Sequence, residues 1–519
     1  MTKLNKCNLM AKVTKLLMVM VLALLLVTSV GCKKAEVSKT GAVLIIDDKA
    51  YFTSLNGKAK EVAIKDNKAS SFTLTDDEKY MFYLCDGNLY RSKTKGANAN
   101  FDKVAANIDD YHISVNGNII TYTNNDDSLY QYNVSKDSRT DALAKNVSDF
   151  TTTEKGSKLL YTVINKENLT ESLYYRKSAS SDEVLIAEKV YSYSCNEDMT
   201  QIMYRTDDKQ LYLTKPGKKA ELISEKVVSV SLEQAGKYDC FFFATENAEG
   251  VRSLKLYKNG KVKDVEVGAS ILNQKNDTCY FTRTIDGKTS LYYFNGKNIT
   301  EISKYDSRIS NSGIDSKKLW ILFKMNEGEK TIYKLAQGDK VYDIDTKGTA
   351  TSFRVTSDEK TLYFLNDYDS EKKTGTIMKA SFGSGVKNPK EYEGNVTSLR
   401  LGTDDEVMYV SDESLYINKK LIEKEITLGN IIGKAKGKYY YVKEGDLYVA
   451  KGGRGKRIAT DIADAVITPD EKVVVMTNLD SKNNTYTISY CSNKLVKIAD
   501  NVSSMKYVRS DTSGDRYHW

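Results

Sequence analysis

One dipeptide recurs along this chain at near-constant spacing, and it constrains the fold more than any other feature. Leu-Tyr stands at Leu89-Tyr90, Leu129-Tyr130, Leu173-Tyr174, Leu211-Tyr212, Leu256-Tyr257, Leu291-Tyr292, Leu415-Tyr416 and Leu447-Tyr448. Degenerate copies follow at Ala50-Tyr51, Ile332-Tyr333, Ile377-Met378 and Ile488-Ser489. The twelve copies step by about 40 residues on average, a period typical of propeller blades. Residues 146–190 show the unit in full. Four runs rich in Val, Ile, Leu, Thr and Tyr lie at Val147–Thr152 (strand A), 158–164 (B), 173–177 (C) and 183–189 (D). Turns of Glu, Lys, Gly, Asn and Ser separate them. Strand A recurs as Asn146-Val147-Ser148, Asn395-Val396-Thr397 and Asn501-Val502-Ser503. The A–B turn recurs as Thr75-Asp76-Asp77-Glu78-Lys79, Ser357-Asp358-Glu359-Lys360 and Pro469-Asp470-Glu471-Lys472.

Adjacent Leu and Tyr in one strand point to opposite faces of a sheet, so each unit needs a neighbour on both sides. Blades packed around an axis supply them, and the expected fold is an all-β β-propeller of about twelve four-stranded blades. A helical solenoid is disfavoured because no 3.6-residue pattern follows the N-terminal segment; a flat array of β-sandwiches is the competing architecture. The first unit lacks a strand A, beginning at 42–46 (B), 49–54 (C) and 58–64 (D), while 501–508 is a surplus strand A. Twelve blades exceed the usual four to eight of one ring. The expected arrangement is therefore two tandem six-bladed rings, 42–274 and 275–508, linked around 274–277 and followed by a tail at 509–519. The alternatives are a seven-plus-five split near Gly313 and an interleaved pair in which 501–508 closes the first blade.

Residues 1–31 read as an export signal. Four lysines, Lys3, Lys6, Lys12 and Lys15, precede fifteen uncharged residues at 16–30, short for a bilayer span of about 20 and suited to a signal-peptide core. Gly31-Cys32 follows, then Lys33 and Lys34. This resembles the bacterial lipoprotein signal, which is cleaved between a small residue and a cysteine that is lipidated. The usual Leu is replaced by Ser29. The resemblance implies a thioether diacylglycerol and an amide-linked acyl chain on Cys32, enough for stable anchoring, with 33–41 as a tether. The expected location is the extracytoplasmic face of the cell membrane; an uncleaved membrane anchor gives the same sidedness. Of 77 basic residues, 73 remain beyond these four lysines, against 69 acidic. Dense basic runs are lacking in the body, so nucleic-acid binding has little support. The abundance of Lys, Asn, Ile and of 36 Tyr is read as AT-rich codon usage. Cys85, Cys195, Cys240, Cys279 and Cys491 are widely spaced and odd in number; separate buried thiols are expected, with a disulfide left open.

The Asp-Glu-Lys turns, Pro469-Asp470 and the strand C Leu-Tyr resemble TolB-type propeller repeats. They are still more similar to those of bacterial lipoproteins whose propellers relate to low-density-lipoprotein-receptor propellers. The resemblance spans 42–508 and implies a binding platform; the Ser-Pro-Asp-Gly of TolB-type turns is mostly degraded here. Motifs that would carry chemistry are weak. Gly383-Ser384-Gly385 lacks nucleophile-elbow spacing. Gly452-Gly453-Arg454-Gly455-Lys456 lacks the spacing and Ser/Thr of a phosphate loop and falls at a C–D turn, like Lys215-Pro216-Gly217-Lys218. His112 has no paired nucleophile, and a zinc site has only His112 and His518 to draw on. Asp367, Asp369 and Glu371 lack the glycine of a calcium loop, with Lys372 in its place. The paired acids Asp76-Asp77, Asp109-Asp110 and Asp404-Asp405 read as solvated turn tips. No catalytic residue, metal or cofactor is expected. The leading function is non-catalytic binding of a protein or cell-wall ligand, followed by a wall-polysaccharide binder using exposed Tyr and Asn, then a propeller lyase or hydrolase.

Overall fold

The computed structural model describes residues 40–509, apart from 67, 76, 95–99, 233–235, 305–307, 313–318, 328–329, 384 and 492–493. The expected signal 1–31, Gly31, Cys32, residues 33–39 of the tether, 510–519 of the tail, Asp76, Gly313, Ser384 and His518 lie outside the described residues. Among those described, the strands group into twelve four-stranded antiparallel sheets, a β-propeller. They are called blades 1 to 12 in chain order. Blade 4 is Val147–Thr152 (A), Leu159–Asn165 (B), Thr170–Arg176 (C) and Glu183–Ala187 (D), within three residues of the sequence expectation at every boundary.

The chain ends share a blade. The C-terminal strand Leu495–Arg509 is strand D of blade 12 over 495–500 and then strand A of blade 1, pairing Val508 with Gly41 and Val502 with Ile46. Blade 1 continues with Thr40–Ile46 (B), Lys49–Thr53 (C) and Lys60–Glu61 (D). Strand B thus starts at Thr40, inside the expected tether 33–41, and the last strand runs through 509. Gly385–Leu401 joins blades 9 and 10 in the same way.

Strand B is an apolar run because both faces are covered. In blade 6, strand B is Cys240–Glu246; Phe241 and Phe243 pack toward blade 5 while Phe242 packs toward blade 7. Twelve apolar clusters fill the interfaces between successive blades. The expected division at 274–277 is not where packing stops. Phe242, Leu254 and Leu256 of blade 6 meet Cys279, Phe281 and Phe294 of blade 7. Val474, Ile488 and Ile498 of blade 12 meet Ala42 and Leu44 of blade 1. The packing therefore runs as one circuit, and residues 40–509 belong to one compact unit. The reason is the surplus strand: its open edge is taken up by the blade that lacks a strand A, as in the interleaved alternative, so neither 42–274 nor 275–508 closes on itself.

The repeat markers have physical explanations. Asn146, Asn395 and Asn501 hold φ of 54°, 52° and 54°, the left-handed corner that asparagine tolerates. The Val that follows is buried, and the Ser or Thr after it is the extra residue of a β-bulge. All twelve A–B pairings carry such a register shift. In the Leu-Tyr pairs, Leu is buried and Tyr stacks on an aromatic directly opposite on strand B. All eight pairs do so, with ring centroids between 4.9 and 5.8 Å apart. Codon usage is therefore not the whole account of the tyrosines. Leu256-Tyr257 is two residues out of phase: the outer-strand bulge that elsewhere splits Leu from Tyr falls at Leu254/Lys255.

Candidate binding cleft

The first strands of neighbouring blades meet through hydrogen bonds, and this forms the inner edge of the assembly. Tyr111 donates to Ser71 O (2.8 Å), Tyr193 to Asp149 Oδ2 (2.6 Å), and Gln274 Nε2 to Ser231 O (2.9 Å). Between blades 4 and 5 this edge opens into a cleft of about 460 Å³ lined by Ser148, Asp149, Thr162, Glu171, Val190, Tyr191, Ser192 and Tyr193. Strand A of blade 5, Val190–Cys195, shifts register between Val190 and Ser192, which makes Tyr191 the bulged residue. A bulge re-aims its side chain, and Tyr191 is 65% exposed, more than any other aromatic among the described residues.

That ring is held in place. The Arg205 guanidinium lies 4.3 Å from its centroid and donates through Nη1 to Val227 O (3.3 Å) and Val228 O (3.0 Å) of blade 6. Arg205 is thus tied to blade 6, whereas the cleft is lined by residues of blades 4 and 5. On the cleft floor Ser148 Oγ and Thr162 Oγ1 are 2.9 Å apart. Burial, and then the charge of Asp149, keep the Tyr193 hydroxyl well above its usual range, so it remains a donor that orients Asp149. The cleft can therefore offer a fixed aromatic ring beside carboxylate and hydroxyl groups.

A second cleft of about 480 Å³ lies at the opposite ends of blades 7 to 9, among Lys275, Asp277, Tyr293, Gln337, Lys340 and Tyr342. Its polar groups largely hold the fold: Lys258 pairs with Asp277 at 2.6 Å, and Gly385 N donates to Gln337 Oε1 at 2.9 Å.

The residues singled out in the sequence are placed as follows. His112 Nδ1 shares a 2.8 Å hydrogen bond with Thr152 of the next blade. Asp369 accepts from the amides of Glu371 (2.9 Å) and Lys372 (3.0 Å), closing a turn, and these backbone bonds lower its pKa. Residues 452–456 occupy the C–D turn of blade 11, as 215–218 do in blade 5. Gly455 is required there, since a Cβ would sit 1.7 Å from the Tyr441 hydroxyl. Of the paired acids, Asp404 and Asp405 stand in the turn between Leu401 and Val407 as expected, with Asp404 exposed, whereas Asp109 and Asp110 are not at a turn tip. Asp109 and Asp110 lie within strand A of blade 3, Ile108–Ile113, with Asp109 at its bulge. Asp405 accepts from Ser357 N (2.8 Å) of blade 9, and Asp404 pairs with Lys434 of blade 11. Cys85, Cys195 and Cys279 are buried, Cys240 and Cys491 half-buried, and none forms a disulfide. Among the described residues, no three His, Cys, Asp or Glu side chains are grouped to hold a metal, and no helix is long and apolar enough to cross a membrane. Tyr191 was not singled out in the sequence. No local signal marked it, because the bulge position varies from blade to blade, carrying Asp109, Ser148, Val228, Leu272 and Ile432 in others.

No family model matches the chain, and no curated protein does. Among solved structures, it is similar to the β-propeller domain of the Trilobed protease from Pyrococcus furiosus, described as having an open velcro topology. That likeness is at 12% identity and a TM-score of 0.25, covering 62% of this chain and 94% of that one. A eukaryotic initiation factor matches at 11% identity and a TM-score of 0.30 over 69% of this chain and 96% of that one. The tricorn protease matches at 10% and 0.24 over 90% and 58%. Likenesses this distant carry nothing about activity; the propeller is read from the sheets and their packing.

Proposed function

We propose that this protein is a non-catalytic β-propeller, anchored through lipid on Cys32 to the extracytoplasmic face of the cell membrane, that serves as a binding platform for a protein or cell-wall ligand. The observation that carries the reading is where the polar groups are spent. The turn acids Asp77, Asp358 and Asp470 close their own turns, Asp405 and Asp404 tie blades together, and Gly455 makes room for Tyr441. What lines the open cleft of blades 4 and 5 is an aromatic ring with carboxylates and hydroxyls, without a histidine or cysteine, a set suited to holding a ligand. The lipid anchor is supported by the sequence of residues 16–32 and by its resemblance to lipoprotein signals. The test is metabolic labelling with a fatty acid, followed by capture of ligands from native membranes with the full-length chain. Wild type should be labelled, Cys32→Ser should be neither labelled nor processed, and purified protein should show no turnover of glycosidic, ester or peptide substrates. Normal processing and labelling of Cys32→Ser would remove the anchor from this reading. Turnover abolished by one acid substitution would replace the platform with an enzyme.

A further inference from the structure

We infer that the cleft between blades 4 and 5 is a carbohydrate subsite, in which the open face of Tyr191 stacks against a neutral hexopyranose unit of a glycan. The inference deepens the platform reading and rests on it. The bulge position varies between blades, carrying Asp109, Ser148, Val228, Leu272, Thr397 and Ile432 among others, and in blade 5 it presents a tyrosine ring that is 65% exposed. An exposed aromatic ring has its apolar area in water, and this one is fixed there by a guanidinium that is itself anchored on two carbonyls. Fixing the ring beforehand lowers the ordering cost of binding.

The chemistry of the occupant follows from what surrounds the ring. A pyranose presents a C–H face, which an aromatic ring covers, and a rim of hydroxyls, which need hydrogen-bond partners when water leaves. Asp149, Glu171, Ser148 and Ser192 line the same cleft and supply acceptors and donors of that kind. An anionic ligand would meet two carboxylates. A cationic ligand would be drawn to those carboxylates, but the Arg205 guanidinium already lies over the ring and opposes a second positive charge on it. A neutral polyhydroxylated ligand is the class that meets neither repulsion.

The experiment uses full-length chain in detergent with cello-, chito- and maltotetraose as probes, and a lysine tetrapeptide as the rival. Binding is read by saturation-transfer NMR and titration calorimetry. At least one tetrasaccharide should receive saturation at its C–H protons. Tyr191→Ala should weaken it by about tenfold or more, Tyr191→Phe should keep the affinity within about threefold, and Glu171→Gln should fall between. Tyr191 is exposed, so circular dichroism of the alanine variant should match wild type; if it does not, Tyr191→Phe and Glu171→Gln carry the test. No binding of any tetrasaccharide, or binding indifferent to Tyr191→Ala, overturns the subsite. Tyr191-dependent binding of the lysine peptide in place of sugars overturns it as well. In each of these cases the platform reading still stands if membrane capture recovers a ligand that Tyr191→Ala retains.

Discussion

Glu78, Glu359 and Glu471 hold φ of 55°, 55° and 59° in their A–B turns, a left-handed conformation that costs an ordinary residue about 1–2 kcal/mol. The acid just before each offsets that cost. Thr75 Oγ1 donates to Asp77 (2.7 Å), Thr356 Oγ1 to Asp358 (2.7 Å) and Thr468 Oγ1 to Asp470 (2.6 Å), and the amides of Lys79 and Lys360 add 3.0 Å bonds. Burial pushes Asp77 up, but hydrogen bonds from Lys79 and Thr75 outweigh it and bring its pKa down to about 2. Asp358 is lowered first by Thr356, and Asp470 by Lys472 and Thr468 against the effect of burial. A carboxyl depressed on folding stabilises fully above its unfolded value of about 4 and loses that contribution as pH falls through its folded value. The chain should therefore lose stability between about pH 4 and pH 2. In D77N/D358N/D470N, thermal melts across that range should show a shallower dependence; an unchanged profile would mean that these turns do not carry it. These acids were legible as turn signals because a turn is a local event. Tyr191 was not, because exposure depends on which edge of a sheet carries the bulge, and that emerges only when blades are aligned.

At the scale of the element, the Leu-Tyr strand shows why one dipeptide could announce the fold. Leu173 is buried toward blade 5 and Tyr174 stacks on Tyr161 of the strand opposite, so two adjacent residues serve two interfaces. Three of the strand B tyrosines use their hydroxyl on an outer strand: Tyr161 donates to Glu183 of its own blade (2.7 Å), while Tyr409 and Tyr441 donate to Glu393 and Glu423 of the preceding blade (3.1 Å each). Stacked aromatic pairs contribute about 0.5–1.5 kcal/mol beyond their burial. A double-mutant cycle of Tyr161→Leu and Tyr174→Leu in urea unfolding should return a coupling of that size, and a coupling near zero would reduce the pair to ordinary packing. Leu173→Ala should cost about 2–5 kcal/mol in the same measurement. Period, strand order and turn positions could be read from the sequence because each is written within about 40 residues. Phase errors arose where two Leu-X-Leu positions compete, as at Leu254 and Leu256, since only the bulge of the outer strand decides between them.

For the whole molecule the sequence was least explicit about closure, because the pairing that decides it joins residues hundreds of positions apart. The surplus strand at 501–508 and the missing strand in blade 1 were both visible; that one fills the other is a long-range fact. Asp470 and Lys472 reinforce the join, accepting from Thr40 N (3.2 Å) and donating to Thr40 O (2.7 Å). Residues 42–274 expressed alone would have an open blade 1 and a bared blade 6, and should not unfold cooperatively near the temperature of the full chain. Co-expression with 275–519 should restore the transition. A cooperative, near-native melt of 42–274 alone would instead support two separately closed rings. The same join sets a timetable. Ser503 bonds to Ile45 across 458 positions of chain, so the first of the described strands waits for the last of them. Until then Thr40–Ile46, an almost wholly apolar strand, has an unpaired edge of the kind that recruits other chains. Whatever keeps this polypeptide soluble during its birth must shield seven residues at the front until those at the back arrive.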